Sequence, residues 1–256
     1  MHSMQKSPRK FADFLYFCEI EPEKIAKIYS FTYNLFSEHP YVIEGEGGRC
    51  IIIDPGFYSP DEKKEFMDFL DSGGLTPEAV LLTHGHIDHV WGVKALQDRF
   101  GIPVFMKAED RAELDFNVKI GGKFGVDAPD CTFAYTDMAD GQTLEFAGMK
   151  LEVITTPGHS IGSVCYLDRE GGVMFTGDTL FAGCIGRTDL STGDYDKEIV
   201  SIMEKLMVLD GGITIYPGHG APSTIARERE SNPFLEPFNE PEEPENPELE
   251  GITIHG

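Results

Sequence analysis

The chain of 256 residues is short of several things, and each shortage excludes a class of protein. It has five cysteines, Cys18, Cys50, Cys131, Cys165 and Cys184, an odd number with no C-x-x-C spacing. Neither a disulfide scaffold nor a zinc ribbon fits that pattern, and reduced thiols in a cytoplasmic protein are expected. No apolar run approaches the roughly 18 residues that a membrane-spanning helix needs, so no membrane partner is expected. Bases are scarce: 21 Lys and Arg stand against 44 Asp and Glu, a net charge of −23. Such a surface repels phosphate backbones, so nucleic acid is not an expected partner either. The N-terminus carries Lys6, Arg9 and Lys10 before the short apolar stretch Phe11 to Cys18. Asp13 interrupts that stretch, no small-residue cleavage site follows, and bulky Phe17 precedes Cys18, so no secretory or lipoprotein signal is expected.

What is present is a core. With 41% apolar and 11% aromatic residues the chain can bury a sizeable interior. Residues 1–24 read as an N-terminal extension and 25–235 as a single domain. Residues 236–256 read as an acidic Pro/Glu-rich tail with little to bury. In the first half, strands are expected at Ile28–Phe36, Tyr41–Glu44, Cys50–Asp54, Ala79–Thr83 and Pro103–Met106, with a hairpin turn at Gly45–Gly48. Helices are expected at Pro60–Asp71, with Phe66, Phe69 and Leu70 on one side, at about Trp91–Arg99, and near Ala108–Phe116. A Gly/Pro-rich loop is expected at Gly121–Pro129. The second half repeats the theme, with strands at Thr143–Phe146, Lys150–Thr155, Ser163–Leu167, Val173–Thr176 and Ile213–Tyr216. Helices at Tyr195–Leu209 and Pro222–Glu230 complete it. Strand clusters closed by helices predict two sheets sandwiched between helices.

The placement of the eight histidines is the most informative feature. His84, His86 and His89 fall within six residues, in T-H-G-H-I-D-H, with Asp88 among them. Imidazole nitrogens and carboxylate oxygens are the ligands that suit zinc and neighbouring first-row metals. The cluster follows a predicted strand, on what reads as a loop, and Gly85 lets the chain bend there without a Cβ clash. A lone His at a strand end is usually structural, but three His and an Asp in six residues are not a lone His. Two further histidines occur in matching settings, T-P-G-H at His159 and Y-P-G-H at His219, each an apolar strand running into a Pro-Gly turn. Between them the strand M-F-T-G-D delivers Asp178. Five His and two Asp exceed what one tetrahedral zinc uses. Two metals about 3.5–4 Å apart, sharing a carboxylate and holding a hydroxide between them, fit the count. His2, His39 and His255 have no evident role.

At these residues the sequence resembles the metallo-β-lactamase-fold hydrolases: H-x-H-x-D-H, then His159, Asp178 and His219 fill that pattern in order from about Ile28 to Leu235. The resemblance implies an α+β fold, the αββα sandwich, with the metals at one edge between the sheets. It implies that His84, His86 and His159 hold a first divalent ion and Asp88, His89 and His219 a second, with Asp178 bridging them. Zinc is the first expectation, with iron or manganese as alternatives. Asp88 is then the expected catalytic residue, binding the second metal and orienting the bridging hydroxide.

Within that superfamily, T-G-D-T-L-F-A-G-C-I-G-R from Thr176 to Arg187 resembles the glyoxalase II branch, hydroxyacylglutathione hydrolases that cleave a thioester. That implies a binuclear hydrolase whose bridging hydroxide attacks a small-molecule thioester. Arg187 aligns with a basic residue that contacts glutathione there, although a surface pair with Asp189 or Asp194 fits it equally well. Asp178 argues against a zinc lactamase, which commonly has Cys at that position. With 37 residues after His219, no long-form helical C-terminal domain is expected, and Ala221 stands where that form has a substrate-touching Tyr, so the chain is similar to the short single-domain forms. A mononuclear-iron persulfide dioxygenase using His84, His159 and Asp178 is the second reading. RNA processing ranks third, disfavoured by charge, and a non-catalytic metal-binding or interaction protein last. The sequence sets neither the oligomeric state nor the acyl group and thiol carrier.

Overall fold

The computed structural model describes residues 26–236; the expected extension 1–24 and all but the first residue of the expected tail 236–256 lie outside them. Two sheets lie face to face. The first runs in the order β1 (Lys27–Ser30), β2 (Tyr41–Glu44), β3 (Arg49–Ile53), β4 (Thr76–Leu81), β5 (Val104–Phe105), antiparallel as far as β3 and parallel beyond it. The second contains β6 (Thr143–Phe146), β7 (Met149–Thr155), β8 (Val164–Asp168), β9 (Val173–Gly177), β12 (Thr214–Pro217) and β13 (Ser223–Thr224). Its order is β13-β12-β9-β8-β7-β6, with β9 and β12 parallel. Between β9 and β12 the chain forms a small hairpin, β10 (Leu180–Phe181) and β11 (Cys184–Ile185).

The strand sequences explain the layering. β3 reads R-C-I-I-I without polar alternation because both of its faces are covered. Cys50 and Ile52 pack outward against Phe66 and Leu70 of α1 (Pro60–Gly73) and against Val93 and Leu96 of α3 (Val93–Phe100). Ile51 and Ile53 point inward and meet Val153, Tyr166 and Phe175 of the other sheet. β8 divides the same way: Val164 and Tyr166 face inward, while Cys165 and Leu167 face Ile199, Ile202 and Leu206. Successive residues therefore serve different layers, and the result is the expected αββα sandwich. The helix α1 starts where Ser59 and Glu62 form a reciprocal capping box with Pro60 in the first turn, and it ends at Gly74 in the left-handed region, φ 64°.

Several local expectations need correction. The first strand ends at Ser30, and the chain then forms a turn in which Asn34 and Ser37 have positive φ. The helix expected at about 91–99 is α3, but a short helix that was not expected, α2 (Ile87–Val90), precedes it, parted from it at Gly92, whose N–H donates to Pro55 O. Half of the histidine cluster is thus helical, not loop. The helix expected to end near Phe116 is α4 (Arg111–Phe124), which runs through Gly121 and Gly122 where a loop was expected. Each glycine costs about 1 kcal/mol of helix propensity. Burial of Leu114, Asn117 and Ile120 on one face offsets that, and Gly125 supplies the left-handed stop. The helix expected over 195–209 is α5 (Tyr195–Ser201) followed by a wider turn over Ile202–Leu206, closed by Met207 N–H to Ile202 O. The last expected helix starts later, as α6 (Ile225–Ser231) after β13.

Tyr166 links the core to the histidine cluster. Its ring is fully buried between the sheets, and its hydroxyl donates to Leu82 O at 2.6 Å, two residues before His84. Tyr166→Phe should lower the unfolding free energy by about 1–3 kcal/mol, because a buried hydrogen bond is lost without compensation. Urea denaturation should show the midpoint falling with the slope unchanged.

Candidate metal centre

Four strands end on one edge of the sandwich, and each hands on a candidate ligand. β4 runs through Leu82 and Thr83 into His84, and His86 stands at the start of α2, which carries Asp88 and His89. β7 leads through Pro157-Gly158 to His159, β9 ends beside Asp178, and β12 leads through Gly218 to His219. The Val164 N–H donates to Thr83 O at 2.9 Å and stitches the two sheets together at this edge. Crowding fixes the small residues here. A Cβ on Gly218 would lie 2.3 Å from Asp178 Oδ1 and 2.8 Å from His89 Cε1. Gly85, expected to supply a bend, is needed for a different reason: a Cβ there would lie 2.9 Å from Asp110 O and 3.1 Å from Glu113 Cβ.

All seven predicted ligands come together. The ligand atoms of His84, His86 and His159 lie within 4.8 Å of one another, as do those of Asp88, His89 and His219. Asp178 stands between the two groups: Oδ1 is 3.5 Å from His89 Nε2, and Oδ2 is 3.5 Å from both His159 Nε2 and His219 Nε2. Outer partners set which nitrogen of each ring is bare. The Thr83 hydroxyl donates to Asp54 at 2.6 Å, so toward His84 Nδ1, 3.0 Å away, it acts as acceptor. His89 Nδ1 donates to Asp54 at 3.1 Å, His159 Nδ1 to Arg187 O at 2.7 Å and His219 Nδ1 to Phe36 O at 3.1 Å. Glu113 Oε2 lies 3.3 Å from Nε2 of His86. In the first group the inward nitrogens are therefore lone pairs, yet His159 Nε2 is 2.8 Å from His86 Nδ1 and 3.3 Å from His84 Nε2.

Lone pairs at such distances repel unless a cation lies between them. Tetrahedral zinc with bonds of about 2.0–2.1 Å spaces its nitrogens about 3.3 Å apart, which suits this cradle. In the other group, His89 Nε2 and Asp178 Oδ1 are buried without a hydrogen bond. Buried polar atoms without partners are costly, and a metal ion would satisfy both. The donor set fits divalent metal in both groups.

The two groups differ in charge. Burial and the neighbouring imidazoles push His84 well below its ordinary pKa and His159 down to about 4. Burial opposes protonation of His89 and His219 too, but Asp88 and Asp178 outweigh it, raising His89 and bringing His219 up to about 11. Burial likewise works to raise Asp178, and His89 and His219 overcome it, holding that carboxylate well below the usual range. At neutral pH His84 and His159 are thus neutral imidazoles, and the second group is a cluster of imidazolium and carboxylate.

Arg187, expected at the substrate, extends its guanidinium in a two-bond fork onto Asp189, at 2.7 and 2.8 Å, with both side chains exposed. Its backbone, not its side chain, reaches the ligand cluster, through the carbonyl that receives His159. Five buried acids around the cluster were missed in the sequence. Asp54 accepts from Thr83 and His89; Glu198 accepts from the His159 N–H at 2.8 Å. Asp110 and Glu113 back the first group, and Glu38, 4.0 Å from His89 Nδ1, is pushed up by burial and by Asp54. Asp54 alone left a signal, since D-P-G after a strand repeats the strand-end pattern that marks Asp178.

Filling the second group should displace protons from His89 and His219, whereas His84 and His159 have none to lose at pH 7. Its affinity should therefore fall more steeply as pH drops. Calorimetry in buffers of different ionisation enthalpy should show greater proton release on zinc binding to His84→Ala, which retains the second group, than to His219→Ala, which retains the first. Equal release would contradict the charge assignment.

The family model described as "Metallo-beta-lactamase superfamily" matches residues 34–219. The hydroxyacylglutathione hydrolase GloC of Haemophilus influenzae is 36% identical over 206 residues, covering 78% of this chain and 93% of GloC. Among solved structures, the B3 metallo-beta-lactamase BLEG-1 superposes with a TM-score of 0.75 at 32% identity, over 81% of this chain and 99% of that one. TTHA1623 in a di-iron-bound form superposes with a TM-score of 0.73 at 32% identity, over 81% of this chain and 100% of that one. The matched residues 34–219 include all seven of these side chains, and the chain belongs to the metallo-beta-lactamase superfamily.

Proposed function

We propose that the protein is a binuclear metal-dependent hydrolase of small-molecule thioesters, of the hydroxyacylglutathione type. The observation that carries this reading is Asp178, which lies 3.5 Å from imidazole nitrogens of both ligand groups and so joins them into one site. The likeness to GloC supports a thioester as the bond cleaved. His84, His86 and His159 would hold one ion, Asp88, His89 and His219 the other, and Asp178 both. Zinc is the first choice; the di-iron form of TTHA1623 makes iron the nearest alternative.

Divalent ions bound here would polarise a carbonyl and bring the pKa of water toward neutrality. The chain supplies orientation. Asp88, with Oδ2 3.3 Å from His219 Nε2, accepts a hydrogen bond from the attacking water and aims it at the thioester carbon. Oxygen adds to that carbon, the C–S bond breaks, the acyl part leaves as carboxylate and the thiolate takes a proton from solvent. Activity resides in residues 25–235. The four free thiols among the described residues accord with a cytoplasmic protein. No helix among those residues is long and apolar enough to cross a membrane, and neither membrane nor nucleic acid is a partner in this reading.

Purified protein should contain two equivalents of metal and hydrolyse S-lactoylglutathione. His89→Ala should retain close to one equivalent, and Asp178→Ala should lose activity and weaken both sites. Oxygen uptake on a persulfide with a single iron would favour the dioxygenase reading, and turnover of a β-lactam without thioesterase activity would favour a lactamase like BLEG-1. If substrate carboxylates displace Asp189 from Arg187, Arg187→Ala should raise KM for acylglutathiones about tenfold with kcat little changed, and leave a small neutral thioester unaffected. Equal responses of the two substrates would reduce Arg187 to a surface ion pair.

A further inference from the structure

α4 presents buried polar side chains to the metal-site loops, although it contributes no ligand. Glu113 and Asn117 of the helix are buried, as is Asp110 just before its first turn. Asp110 accepts from the N–H of Gly85 at 2.7 Å, the hydroxyl of Ser160 at 2.8 Å and the N–H of Gly162. Asn117 donates to Gly85 O at 2.8 Å. These contacts hold backbone. Glu113 does something different. One of its oxygens faces Nε2 of His86 at 3.3 Å, and the other accepts from the Thr192 hydroxyl, which in turn accepts from the Ile161 N–H at 3.0 Å. Burial works to raise this carboxyl, but His86, Thr192 and Ser191 outweigh it and hold it below its ordinary pKa. Ser191 and Thr192 belong to the loop that begins at Arg187, whose carbonyl orients His159.

Resting on the metal reading of His84, His86 and His159, we propose that Glu113 is a positioning residue that orients two of these ligands from one carboxylate. Its Oε2 faces the outer Nε2 of His86 at 3.3 Å, outside hydrogen-bond geometry but close enough to attract that ring edge, and so favours the orientation with Nδ1 inward. Through Thr192 it fastens the 187–193 loop, and so acts on His159 through the Arg187 carbonyl. A carboxylate partnering the outer nitrogen of a ligand imidazole typically changes metal affinity 10–100-fold. The second link has a separate consequence: the same carboxylate ties the loop bearing the exposed Arg187 to the metal site, so loop order and first-site occupancy share one anchor.

The test uses the His219→Ala background, in which only the first group binds zinc tightly, with affinity read by competition against a chromophoric chelator. Loop order is read as the rate of trypsin cleavage after Arg187, with the fragment identified by mass. Glu113→Met, which keeps volume but offers no acceptor, should weaken zinc binding at least tenfold and speed cleavage at least tenfold. Thr192→Val should speed cleavage alike and weaken zinc binding more mildly, by about threefold, because His159 loses its tie while His86 keeps its partner. The proposal falls if Glu113→Met binds zinc within threefold of its parent. It falls also if Thr192→Val leaves cleavage unchanged, a result that decides the matter even if Glu113→Met does not fold. His86→Ala in the same background separates the two levels. Zinc binding lost in His86→Ala but kept in Glu113→Met overturns only the role of Glu113. Zinc binding kept in His86→Ala overturns the metal reading, and this inference with it.

Discussion

Imidazole lone pairs that have no proton to offer one another, held face to face at 2.8 and 3.3 Å, are the constraint on which the rest of the structure depends. Left to themselves they would rotate or separate. They stay because the outer nitrogens are already engaged: by hydrogen bonds to Thr83, Asp54 or the carbonyls of Arg187 and Phe36, and on His86 by the Glu113 carboxylate 3.3 Å away. The five rings come from three separate stretches of sequence, so only a rigid frame brings them together. Two sheets whose inner strands are apolar on both faces provide that frame, and their shared edge is where the chain can turn polar without breaking the core.

The charge pattern follows from the same arrangement. Four acids, Glu38, Asp54, Asp88 and Asp178, lie close enough to interact electrostatically around one imidazole cluster. Without cations to balance them, protons on His89 and His219 serve that purpose. Part of the −23 net charge is therefore interior and belongs to the site rather than to the solvent-facing surface.

The ligands were legible in the sequence because metal chemistry restricts residue type, and strand-end turns restrict position. The sandwich was legible because runs such as C-I-I-I and V-C-Y-L are too apolar to face water on either side. The supporting acids were not legible. Glu113 and Asp110 occur in A-E-D-R-A-E-L-D-F-N, which reads as a solvated helix face, and nothing local shows that two of those acids are buried against loops far along the chain. Asp54 was hidden in a D-P-G that serves a turn equally well. The continuation of α4 through two glycines was missed because propensity is local, whereas the burial that overrides it is not.

Two of the five imidazoles are oriented by main-chain oxygens, those of Phe36 and Arg187. A carbonyl survives any substitution of its own residue, so the side chains at these positions can vary while the rings behind them stay in place. The Arg187 side chain points away into solvent. Selection can therefore rewrite what surrounds the mouth of the site without disturbing the hydrolytic machinery, and a scaffold with that separation is suited to diversification among substrates.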